Sequence, residues 1–252
     1  MAEALTIDAV LSEENVRDAV KALRAHTKPG KDGIPVDFYQ AFIDSDELLA
    51  HLCSLFREVY DAQEMPASMR ESIVAMLYKG KGERVDPAMY RPIALTAATY
   101  RILGRAMAQR LAFVLRRMVG DSQIAFQSLR HIRENIDLVT EIIRFCENDE
   151  TEAGGLAFIL DNSKAYDRVQ WDFLQETLKA FGIPACFCRM VGAMYYKTSV
   201  QLRVNGTLGD QIDVMAGLKQ GDPLSCTLFI LVQEVLLRMI RANKDIHGVM
   251  IP

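Results

Sequence analysis

Leu156-Ala157-Phe158-Ile159-Leu160-Asp161-Asn162-Ser163-Lys164-Ala165-Tyr166-Asp167-Arg168-Val169 decides how this chain is read. Preceded by Gly154-Gly155, it climbs through five apolar residues to a lone carboxylate. A short apolar run bounded by glycine predicts a buried strand that delivers Asp161 to its end. An acid leaving a hydrophobic strand is poorly solvated unless a partner, commonly a metal ion, compensates its charge. Asp161 is therefore a candidate metal ligand, and a plain strand-end or N-cap acid is the competing reading on spacing alone. Asp167 reads as a capping or salt-bridge acid opening the next helical segment.

Downstream, Trp171, Leu174, Leu178 and Phe181 fall at helical spacing until Gly182 and Pro184 stop them, and Phe187, Met190, Val191, Met194 and Tyr195 make a second helix. Val200, Leu202 and Val204 then alternate with polar residues up to Asn205-Gly206, with Ile212 and Val214 beyond, the strongest hairpin signal in the chain. Gly217-Leu218-Lys219-Gln220-Gly221-Asp222-Pro223-Leu224-Ser225 leads into a long apolar helix with Pro223 at its first position. Glycines around Lys219 and Gln220 let backbone amides approach a ligand near a positive helix end, although an ordinary loop-to-helix junction would look the same.

Upstream, Ser12 reads as an N-cap for a helix striped by Val16, Ala19, Val20 and Leu23. Lys28-Pro29-Gly30-Lys31-Asp32-Gly33-Ile34-Pro35 demands a loop, and a helix spans about Asp46 to Tyr60. Ser72 to Tyr78 predicts a strand entering a basic tip, Lys79-Gly80-Lys81-Gly82, followed by Tyr90-Arg91-Pro92-Ile93. Arg supplies paired donors and Lys a mobile point charge, so this tip could clamp a polyphosphate; a solvated basic loop is the plainer alternative. Helices at Thr99–Val119, with its arginines on the face away from the apolar one, and Ile132–Glu147 complete the reading. Strands and helices mix without regular alternation, which predicts an α+β fold.

At 252 residues, half apolar and a quarter charged, with 15 Gly and 8 Pro, the chain is neither collagen-like, low-complexity nor wholly disordered. Five Cys and no signal peptide at Met1-Ala2-Glu3-Ala4 predict free thiols in a reducing intracellular compartment, nuclear or cytoplasmic. Leu224–Ile240, interrupted by Gln233, Glu234 and Arg238, is expected to be too short and too polar to cross a bilayer. The formal charge of −4 argues against a polyanionic partner, but it hides an asymmetry. Pro66 to Arg133 carries twelve Lys and Arg against four acids, net +8, leaving −12 elsewhere, and this window favours polyanion binding. Cys186-Phe187-Cys188 lacks a second pair, and His26, His51, His131 and His247 show no ligand spacing, so no zinc site is expected. No nucleophile elbow, Walker loop or dinucleotide fingerprint is present.

In order, these pieces resemble the reverse transcriptase domain of non-LTR (LINE-type) retrotransposons over nearly the whole chain. Lys28 to Pro35 with Phe38-Tyr39 is similar to the family's N-terminal motif, Tyr90 to Leu95 to its fingers motif, Phe158 to Val169 to its first catalytic motif, and Gly217 to Ser225 to its nucleotide-pocket motif. The resemblance implies an RNA-directed DNA polymerase in right-hand form: an N-terminal extension and fingers over 1–154 and a partial palm over 155–252, with a small antiparallel sheet. It implies two Mg²⁺ ions in the intact polymerase, with RNA template, DNA primer and dNTPs as partners and no membrane. Asp161 takes the catalytic and metal-binding role, Tyr166 the aromatic gate under the deoxyribose, Gln220 and Gly221 the nucleotide contact, and Lys79 and Arg91 the triphosphate clamp. Arg101, Arg105, Arg116, Arg130 and Arg133 would follow the template backbone electrostatically.

Two departures bear on activity. Gln123-Ile124-Ala125-Phe126 is followed by Gln127-Ser128-Leu129-Arg130 instead of the family's Pro-Gly-Arg turn, and no Asp-Asp pair occurs anywhere in the sequence, the chain stopping at Pro252 before the family's aromatic-x-Asp-Asp hairpin. One Asp leaves two divalent cations far short of oxygen ligands, so the chain alone is expected not to polymerise. The expectation is a fragment lacking the C-terminal polymerase segments and any endonuclease domain. The alternatives are a relic that only binds RNA or RNA–DNA hybrid, and an unrelated phosphotransferase with Asp161 as nucleophile, for which Ser163 stands where a second acid is needed.

Overall fold

The computed structural model describes residues 3–127, 130–148 and 157–248. A 3₁₀ turn at Glu3–Leu5 is followed by helices α1 (Ile7–Val10), α2 (Glu13–Ala22), α3 (Val36–Ala41), α4 (Asp46–Ala62) and α5 (Ala67–Arg70). Strands β1 (Glu71–Tyr78) and β2 (Tyr90–Leu95) lead to α6 (Ala98–Leu115) and α7 (Ile132–Glu147). After them come α8 (Trp171–Ala180), α9 (Ala185–Tyr195), β3 (Ser199–Val204), β4 (Thr207–Asp213) and α10 (Pro223–Ala242).

The starts of these helices follow local chemistry. Ser12 Oγ accepts from Asn15 N at 3.3 Å, Ser45 Oγ from Leu48 N at 3.4 Å, and Asp222 Oδ1 from Leu224 N at 3.3 Å, each satisfying an amide the helix leaves free. The hairpin turn at Asn205 and Gly206 has positive φ at both residues, 50° and 87°, the conformation whose twist matches that of its strands.

The sheet runs β2-β1-β3-β4. β1 pairs antiparallel with β2 and parallel with β3, and β3 pairs antiparallel with β4. The expected small antiparallel sheet is therefore a mixed one. Parallel neighbours need a long crossover, here the whole stretch between Tyr78 and Ser199, and no local signal announces such a pairing.

The core centres on α6, where Tyr100, Ile102, Leu103, Met107 and Leu111 are wholly buried. One side of α6 meets α2 and another meets α10. Its arginines do not form the free polar face expected of them. Arg101 Nη1 donates to Thr27 at 2.8 Å and Arg110 Nη2 to Ser12 at 3.5 Å, because a helix packed on several sides directs long charged side chains toward its neighbours. By length and composition α10 reaches the range of a membrane span, correcting the expectation that it is too short and polar. Its Leu224, Leu228 and Leu231 are buried in the common core. All five cysteines are free.

The boundary expected at 154/155 lies outside the described residues. The sheet and the α6–α10 contact run across it.

Candidate active site

Loop 161–169, the turn 217–222 and the outer edge of β2 come together. Gly217 N donates to Val169 O at 2.8 Å and Leu218 N to Tyr166 O at 2.9 Å, so the two loops run as a short ladder. Gly217 has φ +97°, and a Cβ there would lie 3.1 Å from the Asp167 backbone, so only glycine permits this approach. Trp171 Nε1 donates to Gly217 O at 2.9 Å from the other side. Ala94 N, on the free edge of β2, donates to Gln220 O at 3.1 Å. The sequence-predicted Tyr166, Gln220 and Gly221 are thus brought to the β2 edge by hydrogen bonds of the main chain.

Tyr166 stacks on Phe229 of α10 with ring centroids 4.8 Å apart and an interplanar angle of 16°. Burial, with the Cys226 thiol alongside, raises the pKa of its hydroxyl. The Tyr166 ring is therefore fixed from one face by α10, a support the sequence does not announce.

Arg91 lies on β2 opposite Leu77, and Lys79, two residues past Leu77, follows on the same face of the β1–β2 hairpin. Both are exposed. Lys79 Nζ donates to Ala88 O at 2.7 Å, which ties it to the turn before β2.

Asp161 is exposed at the mouth of a cleft of about 630 Å³ that it lines with Asn162, Arg168, Phe173, Phe229 and Gln233. The buried strand expected to carry it is absent: residues 157–160 are irregular, and Phe158, Ile159 and Leu160 are 80%, 96% and 79% exposed. An apolar run becomes a buried strand only with a neighbour to satisfy its amides and cover its side chains, and no described strand lies beside this one. Gly154, Gly155 and Leu156 lie outside the described residues. Asp167 also departs from expectation. It caps no helix, since α8 begins at Trp171 with Gln170 as its N-cap, and its Oδ1 accepts from Gln220 Nε2 at 3.3 Å.

Among the described residues no group of three or more His, Cys, Asp and Glu could hold a metal ion. Asp161 with Asn162 beside it does not fit a pair of divalent cations, which require more oxygen ligands than these residues supply.

The five basic residues are placed unequally. Arg116 and Arg133 are exposed, Arg133 pairing with Asp137 at 3.5 Å, and Arg101 and Arg105 are half-buried on α6. Arg130 is committed internally: it donates to Gly120 O, Asp121 O, Gln123 O and the Asp121 carboxylate, with its side chain 10% exposed. Ser128 and Leu129 lie outside the described residues.

Beneath the 217–222 turn is a buried polar cluster that the sequence pattern does not announce. Asp222 accepts from Ser225 Oγ at 3.2 Å and fits against α6 because Gly104 has no side chain; a Cβ there would come within 2.5 Å of Asp222 Oδ1. Lys219 Nζ lies 4.1 Å from the centre of the Tyr100 ring. Burial pushes the Asp222 carboxyl up to about 6 and pulls the Lys219 ammonium down to about 8. The same loss of water raises Tyr100 and Tyr195, both facing Asp222.

Exposed Lys79 and Arg91 on the β1–β2 hairpin, Tyr166 stacked on α10, and a glycine turn pinned to the β2 edge make up the site's geometry. Residues 79–250 match the family described as reverse transcriptase (RNA-dependent DNA polymerase), and the chain belongs to it. Its relatives are non-LTR retrotransposon proteins. It is 28% identical over 236 residues to the transposon TX1 uncharacterized 149 kDa protein of Xenopus laevis, covering 93% of this chain and 18% of that protein. It is 27% identical over 228 residues to the Pol polyprotein from the type-1 retrotransposable element R2 of Nasonia vitripennis, covering 90% and 21%. With the R2DM polyprotein of Drosophila melanogaster identity is 30% over 152 residues, covering 60% and 14%. The chain spans about a fifth of the length of the first two relatives.

Proposed function

We propose that this chain is the fingers and part of the palm of a retrotransposon reverse transcriptase, holding RNA template, DNA primer and dNTP for RNA-directed DNA synthesis by a longer protein. The observation that carries this reading is the joining of the Gln220–Gly221 turn to the β2 edge and to the Tyr166 loop. These main-chain bonds support the reading because they tie the Gln220–Gly221 turn to the strand that bears Arg91 and to the loop that bears Tyr166. Reverse transcriptases depend on divalent metal in general, and the acids needed for two Mg²⁺ ions would come from outside these residues. Lys79 and Arg91 would meet the triphosphate, and Arg116 and Arg133, the exposed cations, would follow the template. Residues 1–154 would form the fingers with their N-terminal extension, and 155–252 the palm portion, in an intracellular protein.

Primer extension on an RNA template with Mg²⁺ and dNTPs checks this. The chain alone should bind an RNA–DNA hybrid and extend nothing, whereas a longer protein containing it should extend the primer and lose that activity on Asp161→Ala. Incorporation by the isolated chain that Asp161→Ala abolishes would overturn the proposed division of the active site. Binding should weaken steeply with salt, and Arg116→Ala and Arg133→Ala should each lower the log–log slope by about one unit.

The exposed Arg116 and Arg133 also suit a second reading, a relic that only binds hybrid. It predicts that the longer protein, too, is silent in primer extension and that Asp161→Ala changes nothing.

A further inference from the structure

Asp167 sits in the turn between Asp161 and α8, exposed beside the nucleotide turn. It does not cap α8, and it makes no ion pair among the described residues even though Arg168 adjoins it. Its side-chain hydrogen bond is the one from Gln220 Nε2 to Oδ1, at 3.3 Å across 53 residues of sequence. The main chain around that bond is locked by the Gly217–Val169 and Leu218–Tyr166 pairs and by the Trp171 indole on Gly217 O. Gln220 is held independently through its own carbonyl by Ala94 N. Backbone on both sides is therefore fixed, and the Asp167 carboxylate determines only where the Gln220 side chain points.

We propose that Asp167 is a positioning residue that orients the Gln220 amide for the incoming nucleotide. The proposal rests on the reading of Gln220 as a nucleotide contact. A carboxylate accepts and cannot donate, so it selects the amide N–H₂ and turns the Gln220 carbonyl oxygen away from itself. The remaining N–H and the carbonyl oxygen are then presented together to the site. A glutamine left free would have to surrender its rotamer freedom when the nucleotide arrives, and ordering it beforehand removes that loss from the binding step. The role is orientation, not charge, so an asparagine, which keeps Oδ1 as an acceptor, should serve.

Two measurements on the chain test this. The first is the NMR signal of the Gln220 side-chain amide in the free protein, which needs no ligand. Asp167→Ala should shift it toward the position of a solvent-exposed glutamine, and Asp167→Asn should hold it near wild type. An Asp167→Ala spectrum that leaves the Gln220 amide in place overturns the contact itself. The second is calorimetric titration of dTTP into the chain saturated with an oligo(rA)–oligo(dT) hybrid. Asp167→Ala should weaken dTTP about five-fold, Asp167→Asn should restore it, and the double substitution Asp167→Ala with Gln220→Ala should be no weaker than Gln220→Ala alone. Independent, multiplying effects overturn the proposal, as does an Asp167→Asn protein that behaves like Asp167→Ala. A wild-type chain that takes up no dTTP, or Gln220→Ala without effect, instead removes the reading of Gln220 on which the proposal stands. Urea unfolding midpoints of the variants should coincide with wild type, since a bond between exposed side chains carries little stability.

Discussion

Gly104 and Asp222 show how much a single atom decides under the 217–222 turn. The carboxylate occupies the place of an α6 side chain, so Gly104→Ala must displace either Asp222 or α10. Overpacking of this kind destabilises by about 1–3 kcal/mol, which urea unfolding at neutral pH should register. The charge of Asp222 has a separate signature. Its folded pKa of about 6 lies above its ordinary 3.8, so the stability it contributes is fully present below pH 3.8 and is lost as pH rises through 6. Lys219 has the opposite sign: its contribution is present above its ordinary 10.5 and is lost as pH falls through 8. Between 6 and 8 both charges are buried at a cost that their attraction only partly offsets. Relative to wild type, Asp222→Asn should therefore gain roughly 2 kcal/mol between pH 4 and 7, read as the difference between paired urea titrations. Equal differences at both pH values would place the carboxyl in water. None of this was legible from Gln220-Gly221-Asp222-Pro223, where only Pro223 at the start of the helix was read; Asp222 caps that helix, and its burial against Gly104 depends on a helix more than a hundred residues away.

Elements announced by a local pattern are the ones that sequence reading recovers. The hairpin at Asn205-Gly206, Pro223 at the start of α10, Ser12 before α2, and α7 at Ile132–Glu147 all stand where expected, since turn chemistry, caps and helical periodicity are properties of neighbours in the chain. Gly206 illustrates the dependence: its Cβ position is open space, yet φ is +87°. Gly206→Ala should consequently loosen β3–β4 by about 1 kcal/mol through backbone strain alone, seen as faster amide exchange across that hairpin with α6 unchanged. Phe158 to Leu160 fails for the complementary reason. Its apolar content is a statement about burial, and burial belongs to a partner that the run itself does not specify. The family motifs were legible at residue level, and the loop bearing Tyr166 and the turn bearing Gln220 and Gly221 do pair along their main chains; the support of Tyr166 by Phe229 and of Gln220 by Asp167 was not, because both contacts join segments more than fifty residues apart.

At the scale of the molecule, residues 3–148 and 157–248 are not independent bodies. β1 lies between β2, its neighbour in sequence, and β3, which follows β1 by about 120 residues, while α10 packs on α6. Fragments 1–154 and 155–252 should each be largely unfolded when made separately and should regain helical circular dichroism on mixing. Cooperative folding of fragment 155–252 by itself would show that the shared sheet is dispensable. A second bond between the halves is the buried Glu234 of α10, which accepts from Gly120 N at 3.2 Å and Arg241 Nη1 at 2.9 Å and so holds the exit of α6.

The parallel pairing of β1 with β3 also sets a clock during synthesis. β2 follows β1 out of the ribosome almost at once and covers one edge, but the edge facing β3, from Glu71 to Ala75, waits for about 120 further residues. At roughly 5–20 residues per second, that is on the order of 6 to 24 seconds with a row of unpaired amides on view. The nascent protein therefore passes through its most adhesive form while still tethered, and a holdase chaperone would find its longest opportunity in that interval.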